Sequence, residues 1–524
     1  MKKVLLVTTQ SAQSVVWEIA QSLRRNYQID IYVSSAVVAQ FTSCDELAVE
    51  LQKYLNRCDY DIVLIPGLVR GSTEAIERAI GCEVYKGPRY AGDIPLALDL
   101  IGKGFKLSKE VPADILHKEF FSSHLLSRYS WEALSKKPQF ELRGIKVFLD
   151  PPPMKLLLEV MASDVELFNE KVARAAESGF SGVVIGCSSR CNYTVLEKYV
   201  DRARGVDGVH IVGVDTPRVS DIPRDLLEKV DIVFNVTHLD IEGIASELSR
   251  DKAVVVIPST LESTDRAIQS IEAAVSELRE VGLEKIIVDP LIKPPGAGLA
   301  ESITRFYYSK KCLSYPHLFS TANIYELIDA DSHGVIALLL VLALELGASL
   351  VLATEESTKS FGAIEEHSIA RYMAYVSYFK KSPPKDVPEG VDLLVVKGKK
   401  LKKLTPPEFK GCVRYVDLVE PREDPNYFVK VYVDYTQNAL VVDVFSAKSG
   451  EILERFVGSH PTSLARAVLR KYELLPEHSS YLGYELCRAE LALKFRKDYE
   501  QDRSVVTPPI DRIREYRDSL TSLP

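Results

Sequence analysis

Long apolar runs are scarce in this 524-residue chain. The longest candidate, GVIALLLVLALELGA (334–348), is interrupted by Glu345. It falls short of the roughly 20 residues a bilayer requires, so a buried helix is expected there. The start, MKKVLLVTTQSAQ, is charged but too poor in apolar residues for a secretory leader, and its alternation suits a strand. A cytoplasmic protein with no membrane partner is expected. Positive charge is lacking too. The net charge of −8 and pI near 5.8 exclude general nucleic-acid binding, which needs clustered cations. The one basic run, KGKKLKK (397–403), reads as a solvated edge or loop. Cysteine is sparse: eight residues lie scattered, which is not the framework of a small secreted domain. Only Cys187 and Cys191, in GCSSRCN, are close. With no second Cys/His pair nearby they read as reduced thiols, not zinc ligands, and no metal is expected. Neither G-x-G-x-x-G nor a P-loop lysine occurs, so nucleotide binding is not indicated.

The length allows two to four domains, and 46% hydrophobic with 26% charged residues is an ordinary globular composition. Over 1–105, KKVLLVTT, QIDIYVSS and YDIVLIPG read as strands separated by amphipathic helices. That order predicts a doubly wound parallel sheet, whose ligands sit beyond the carboxyl ends of the strands. The loop PGLVRGSTEAIERAIG (66–81), with Arg70 and Ser72 before a helix, fits that place. Residues 106–143 are polar and mixed, and read as a helical linker. From 144 to 385 eight apolar strand candidates follow: KLLLEVM (155–161), GVVIGC (182–187), HIVGVD (210–215), DIVFNV (231–236), AVVVIP (253–258), KIIVDP (285–290), HLFSTAN (317–323) and SLVLAT (349–354). Helical patterns lie between most of them. Continuous apolar strands imply burial on both faces, and eight with helical crossovers is the count of a (β/α)8 TIM barrel. The proline-rich KSPPKDVPEG (381–390) marks a boundary. Residues 386–524 then read as a small α+β domain, with a hairpin turning at Thr436-Gln437-Asn438 and two helices behind it.

Active sites of this architecture lie at the carboxyl ends of the strands. Asp215 ends strand 3, Asn235 and Thr237 lie on strand 4, Asp289 ends strand 6 and Asn323 ends strand 7. Amides are weak metal ligands, and only His238 joins the set, so metal binding is not the reading. The set suits a flat heterocycle: a carboxylate accepts two N–H bonds from an amidine-like edge, and asparagine meets a ring amide with a donor and an acceptor. Each residue also has a purely structural alternative. Asp215 and Asp289 can cap helices, and Asn235 and Asn323 can stabilise turns.

The motifs GVDTP, FNVTH, IIVDP and TANIYELIDADSHG resemble the strand-end motifs of the pterin-binding barrel superfamily, which holds dihydropteroate synthases and methyltransferases using a reduced folate or methanopterin. PGLVRG, KGPRYAGDIPLA and YLGYELCRAELAL…YEQD resemble the flanking domains of archaeal dihydropteroate synthase-like proteins, so the likeness covers nearly the whole chain. It implies a reduced pterin held by Asp215, Asn235, Asp289 and Asn323, with Lys293 and Asn323 in catalytic roles. It also implies a transferase of folate or methanopterin metabolism joining a hydroxymethyl-pterin diphosphate to an arylamine. Departures stand against that activity. The N-x-T-P-D-S-F, S-R-K and R-x-H segments that hold arylamine and diphosphate are replaced by LLLEVMASDVELF, STANIYE and TEESTKSFG. Lys293, Arg305 and Lys359 are candidate substitutes, though each reads more simply as a solvated loop charge. Glu355 and Glu356 are candidate bases. The alternatives are a methyltransferase working with a separate corrinoid protein, and a non-catalytic pterin binder. No D-x-H-x-x-G cobalamin loop is present, because DADSHG (329–334) has the wrong spacing. A homodimer is a further candidate assembly.

Overall fold

The computed structural model describes residues 1–55, 57–121, 136–187, 191–244, 247–387, 391–398, 414, 416 and 422–506. Most of the basic run at 397–403, and residues 122–135 of the expected helical linker, lie outside them. Two compact units form, Met1–Lys399 and Lys400–Pro524. Among the described residues no helix is long and apolar enough to cross a membrane.

The first unit begins with strands β1 (Lys2–Thr8), β2 (Tyr27–Val33), β3 (Ile62–Ile65) and β4 (Val84–Lys86), all parallel in the order β2-β1-β3-β4. Alternate residues of β1 enter different layers. Val4 and Leu6 pack with helices α1 (Gln13–Leu23) and α4 (Ile94–Gly102). Leu5 and Val7 pack with α2 (Cys44–Tyr54) and α3 (Glu74–Ile80). The sheet is therefore doubly wound. α2 starts where Ser43 and Glu46 form a capping box.

Eight parallel strands follow: β7 (Lys155–Met161), β8 (Gly182–Gly186), β9 (Ile211–Asp215), β10 (Ile232–Val236), β11 (Ala253–Val256), β12 (Ile286–Val288), β13 (Leu318–Ser320) and β14 (Leu350–Thr354). A bridge from Val288 to His317 closes the ring. Asp164, Asn192 and Ser263 accept hydrogen bonds that cap the helices after β7, β8 and β11. Helix Ser332–Glu345, from the long apolar run, buries Ile336, Leu340 and Ala343 but leaves Leu338 exposed.

An unexpected hairpin, β5 (Phe140–Leu142) and β6 (Ile145–Val147), plugs the amino ends of the barrel strands. Its Leu142 and Val147 join Leu157, Val184, Ile211 and Ile287 in the interior, each burial contributing about 1.5–3 kcal/mol. Arg143 Nε lies 3.0 Å from Asp231 at the start of β10, and Lys285 Nζ donates to Glu141 O at 2.9 Å. With that end closed, a ligand must enter from the carboxyl ends.

The doubly wound domain meets the barrel at Gly92. A Cβ there would stand 2.5 Å from the backbone of Lys380, which ends helix Ala363–Lys380. In the second unit, β15 (Tyr427–Asp434), β16 (Ala439–Ser446) and β17 (Ile452–Gly458) form an antiparallel sheet. Val429, Val431, Leu440 and Val442 pack under helices Pro461–Lys471 and Pro476–Phe495. Asn438 holds the expected hairpin turn at φ 51°. β4 and β17 were not expected from the sequence.

The cysteines depart from expectation. Cys58 is bonded to Cys82, and Cys187 to Cys191. Packing of α2 against the sheet brings Cys58 and Cys82 together across 24 residues, a pairing no local spacing announces.

Candidate functional site

Asp215 is the last residue of β9, and the backbone there hydrogen-bonds the next strand end, Cys187 N to Asp215 O at 3.0 Å. Its neighbour β10 shifts register between Val233 and Val236, and within that irregularity Asn235 adopts φ 61°. Asparagine tolerates this left-handed conformation better than other non-glycine residues. The amide Nδ2 of Asn235 then donates to Asp215 Oδ1 at 2.5 Å. Neither aspartate caps a helix: the 3-10 turn after β9 starts at Arg218, and the helix after β12 starts at Gly298. The capping alternative is removed for both.

Asp289 continues β12 by donating its N–H to Val256 O, and it is 6% exposed. Its Oδ1 accepts from Leu291 N at 2.8 Å, and Leu291 itself has φ 62°. The sequence reading of Arg305 as a solvated loop charge is overturned, because Arg305 is fully buried. Its Nε donates to Pro290 O at 2.7 Å and its Nη2 to Leu291 O, so the guanidinium holds the Asp289–Leu291 turn from beneath. Nη1 is buried without a partner.

Asn323 lies not at the end of β13 but in the single helical turn Ala322–Tyr325 beyond it. The strand stops at Ser320 because Thr321 bonds back to Leu352 O and opens that turn. Asn323 Nδ2 donates to Ile292 O at 2.9 Å, tying the loop after β12 to the end of β13.

A third carboxyl, missed in the sequence, faces this group. Glu159 on β7 lies beside β8, and its Oε1 would be 3.0 Å from a Cβ at Gly186. Glycine at 186 leaves the space that the Glu159 side chain occupies. Among the described residues, no side-chain hydrogen bond or ion pair engages Glu159. Its signal was available: it is the one acid inside KLLLEVM.

All three carboxyls hold protons more tightly than free acids do. Burial, with a small contribution from Asp215, pushes Asp289 up to about 7. Burial, then the charges of Asp215 and Glu356, pushes Glu159 up to about 7. Burial raises Asp215 to about 6, against the bond from Asn235. Burial strips each ionised form of hydration that its neighbours replace only in part, and at Asp289 the Leu291 N–H and the Arg305 guanidinium pull the other way without cancelling it.

Several described cations near the mouth are committed elsewhere. Lys171 Nζ pairs with Glu356 at 3.0 Å, and Arg174 grips Glu355 through Nη1 at 2.7 Å while also bonding Glu365. Glu355 also accepts from Gly362 N. Lys293 Nζ lies 3.3 Å from Glu301, and Lys359 Nζ lies 3.1 Å from Asp329. The candidate bases Glu355 and Glu356 are thus ion-paired. His238, after β10, has a buried Nδ1 without a partner. Among the described residues no cluster of three or more His, Cys, Asp or Glu is arranged to hold a metal. What remains is a mouth of protonatable acceptors with few donors, suited to a ligand edge that supplies N–H groups.

Comparison with known proteins gives three findings. Residues 423–502 match the family model described as PterinBD-DUF4346. An uncharacterized protein of Methanocaldococcus jannaschii, MJ0107, is 27% identical over 95% of this chain and 98% of its own length. Among solved structures, dihydropteroate synthase from Thermus thermophilus is 21% identical, covers 44% of this chain and 96% of its own, and has a TM-score of 0.36. Dihydropteroate synthase from Xanthomonas albilineans, in complex with 7,8-dihydropteroate, is 16% identical, covers 45% and 96%, and has a TM-score of 0.32. The chain is thus similar to an archaeal protein along nearly its whole length, matches PterinBD-DUF4346 near its C-terminus, and is similar to dihydropteroate synthases over less than half its residues.

Proposed function

We propose that the barrel mouth binds a reduced pterin and that the protein is a dihydropteroate synthase-like transferase of folate or methanopterin-type cofactor biosynthesis. The observation that carries this reading is the trio of carboxyls on β7 and at the ends of β9 and β12, each with raised proton affinity, with Asn235 bonded to one of them. The match of residues 423–502 to the family model PterinBD-DUF4346 supports it. In this reading Asp289, ionised, accepts two N–H bonds from the aminopyrimidine edge. Asp215 and Asn235 meet the adjoining ring amide, and Asn323 keeps the Asp289 loop in register. The arylamine nitrogen forms a C–N bond to the pterin's methylene carbon as the C–O bond to diphosphate breaks. The amine's proton passes to Glu159, whose proton affinity sits near neutral pH. Lys293, leaving Glu301, faces the departing diphosphate.

A second reading rests on one observation, that Lys171, Arg174, Lys293 and Lys359 are all paired with acids. That leaves little to stabilise diphosphate and suits transfer of a methyl group from a pterin N5 to a separate corrinoid protein. Calorimetric titration with a hydroxymethyl-dihydropterin diphosphate and with an N5-methylated reduced pterin separates the two. Micromolar binding of the diphosphate, lost in Asp289→Ala, supports the synthase reading. Tighter binding of the methylated pterin supports methyl transfer. Failure of both to bind ends the pterin reading.

A further inference from the structure

The doubly wound domain has a cleft of its own. It lies beyond the carboxyl ends of β1, β3 and β4, bounded by Thr8, Thr9, Pro66, Pro88 and Arg89, and it encloses about 140 Å³. In the order β2-β1-β3-β4 the chain leaves β1 toward β2 on one side and returns to β3 on the other. Such a switch point opens a crevice between loops that diverge. Two threonines of low exposure line it. Thr9 is 3% exposed, and among the described residues its hydroxyl donates to and accepts from no protein group, which leaves it open to the cleft. Thr8 is 1% exposed, and its hydroxyl makes only a 3.5 Å contact to Thr9 O. A ligand in the cleft can replace the solvent on the Thr9 hydroxyl with a hydrogen bond of its own while its apolar body covers the walls.

The walls narrow the ligand class. Leu6, Val16, Leu64 and Ile94 make most of the cleft apolar. Its one charged lining residue, Arg89, is held by two carboxylates: Nε to Asp114 at 2.7 Å and Nη1 to Asp386 at 3.1 Å. One guanidinium between two acids does not attract an anion. The first N–H groups of the following turn are spent on Ala36 O, Val37 O and Thr9 O, so no phosphate cradle exists there. The volume is close to that of a cavity that admits benzene, about 150 Å³. We infer that this cleft is a second ligand site, taking a neutral monocyclic aromatic molecule whose polar substituent hydrogen-bonds the Thr9 hydroxyl. It is separate from the barrel mouth and stands whether or not the mouth takes a pterin.

The test uses the full chain, ligand-observed NMR and thermal denaturation, with phenol, aniline and cytosine as probes and cyclohexanol as a saturated control. At least one aromatic probe binds saturably, with a dissociation constant on the order of 0.1–1 mM for so few atoms, and cyclohexanol binds more weakly. Thr9→Val leaves the protein folded and weakens the probe about fivefold. Ala12→Leu, which narrows the cleft from its lining, abolishes binding. The inference is overturned if no aromatic probe saturates, or if both variants bind as wild type does.

Discussion

Replacing Asp289 by asparagine keeps the side chain's shape and its acceptor for Leu291 N, but removes the ionisable group. In the folded chain Asp289 takes up a proton near pH 7, against 3.8 for the free acid. At about 1.4 kcal/mol per tenfold change in proton affinity, holding it ionised at pH 8 costs the ligand-free protein about 4 kcal/mol. The sign follows from linkage. The folded state binds this proton more tightly than the unfolded state, so the native chain is favoured at low pH. Stability then falls as pH rises from about 4 to 7, and levels off above. Asp289→Asn therefore stabilises the protein at pH 8, by about 2–4 kcal/mol once the new amide's own need for partners is allowed for. At pH 4 the effect is near zero. Denaturant unfolding of the first unit at the two pH values reads the difference. Loss of stability at pH 8, or an equal change at both, refutes the argument that desolvation dominates at this carboxyl. A carboxyl that weakens the fold where it stands in a mouth lined with acids is what a binding role leads one to expect.

Other outcomes follow from the same geometry. Glu159→Gln stabilises the ligand-free chain at pH 8, for the same reason as Asp289→Asn, and under the proposed synthase activity it flattens the pH dependence of the rate near neutrality; a pH–rate profile still inflecting near 7 rules out Glu159 as the group responsible. Gly186→Ala drives a Cβ to 2.7 Å from Met161 Sδ and 3.0 Å from Glu159 Oε1, so the Met161 and Glu159 side-chain ends must shift and the carboxyl moves; a crystal structure of the variant with Glu159 Oε1 unmoved contradicts the packing described. Arg305→Met strips the bonds to Pro290 O and Leu291 O and destabilises the protein by at least about 2 kcal/mol, with pterin affinity falling alongside; wild-type affinity in that variant refutes its role in holding the Asp289 turn.

Much of the barrel was legible because its strands are apolar on both faces. VVIG, VVVI and IIVD leave no polar face to confuse with a helix, and all eight runs became strands, trimmed by a residue or more at most ends. Shorter or more polar elements escaped. β4 has three residues, and β17, ILERFVG, alternates exposed apolar and charged side chains with no clean buried face. The β5–β6 plug lies in a polar stretch where only Leu142 and Val147 are deeply buried, which no period announces. Asp215, Asn235 and Asp289 stood out as polar groups at the ends of apolar strands. Glu159 carries the same signal within β7, but it stands two residues before the strand's end, where a carboxyl is not marked out as facing the mouth. Arg305 could not be found this way. In LAESITRFYYSKK nothing distinguishes it from the lysines that follow, and its burial is decided by the turn it supports.

The most direct test is the position of a reduced pterin in a crystal structure of the full chain soaked with hydroxymethyl-dihydropterin. The account predicts the ring at the carboxyl ends of the barrel strands, its aminopyrimidine edge about 2.7–3.1 Å from the Asp289 carboxylate, with Asp215 and Asn235 on the adjoining ring amide. A pterin bound away from Asp289, or a mouth that stays empty at saturating ligand, contradicts it.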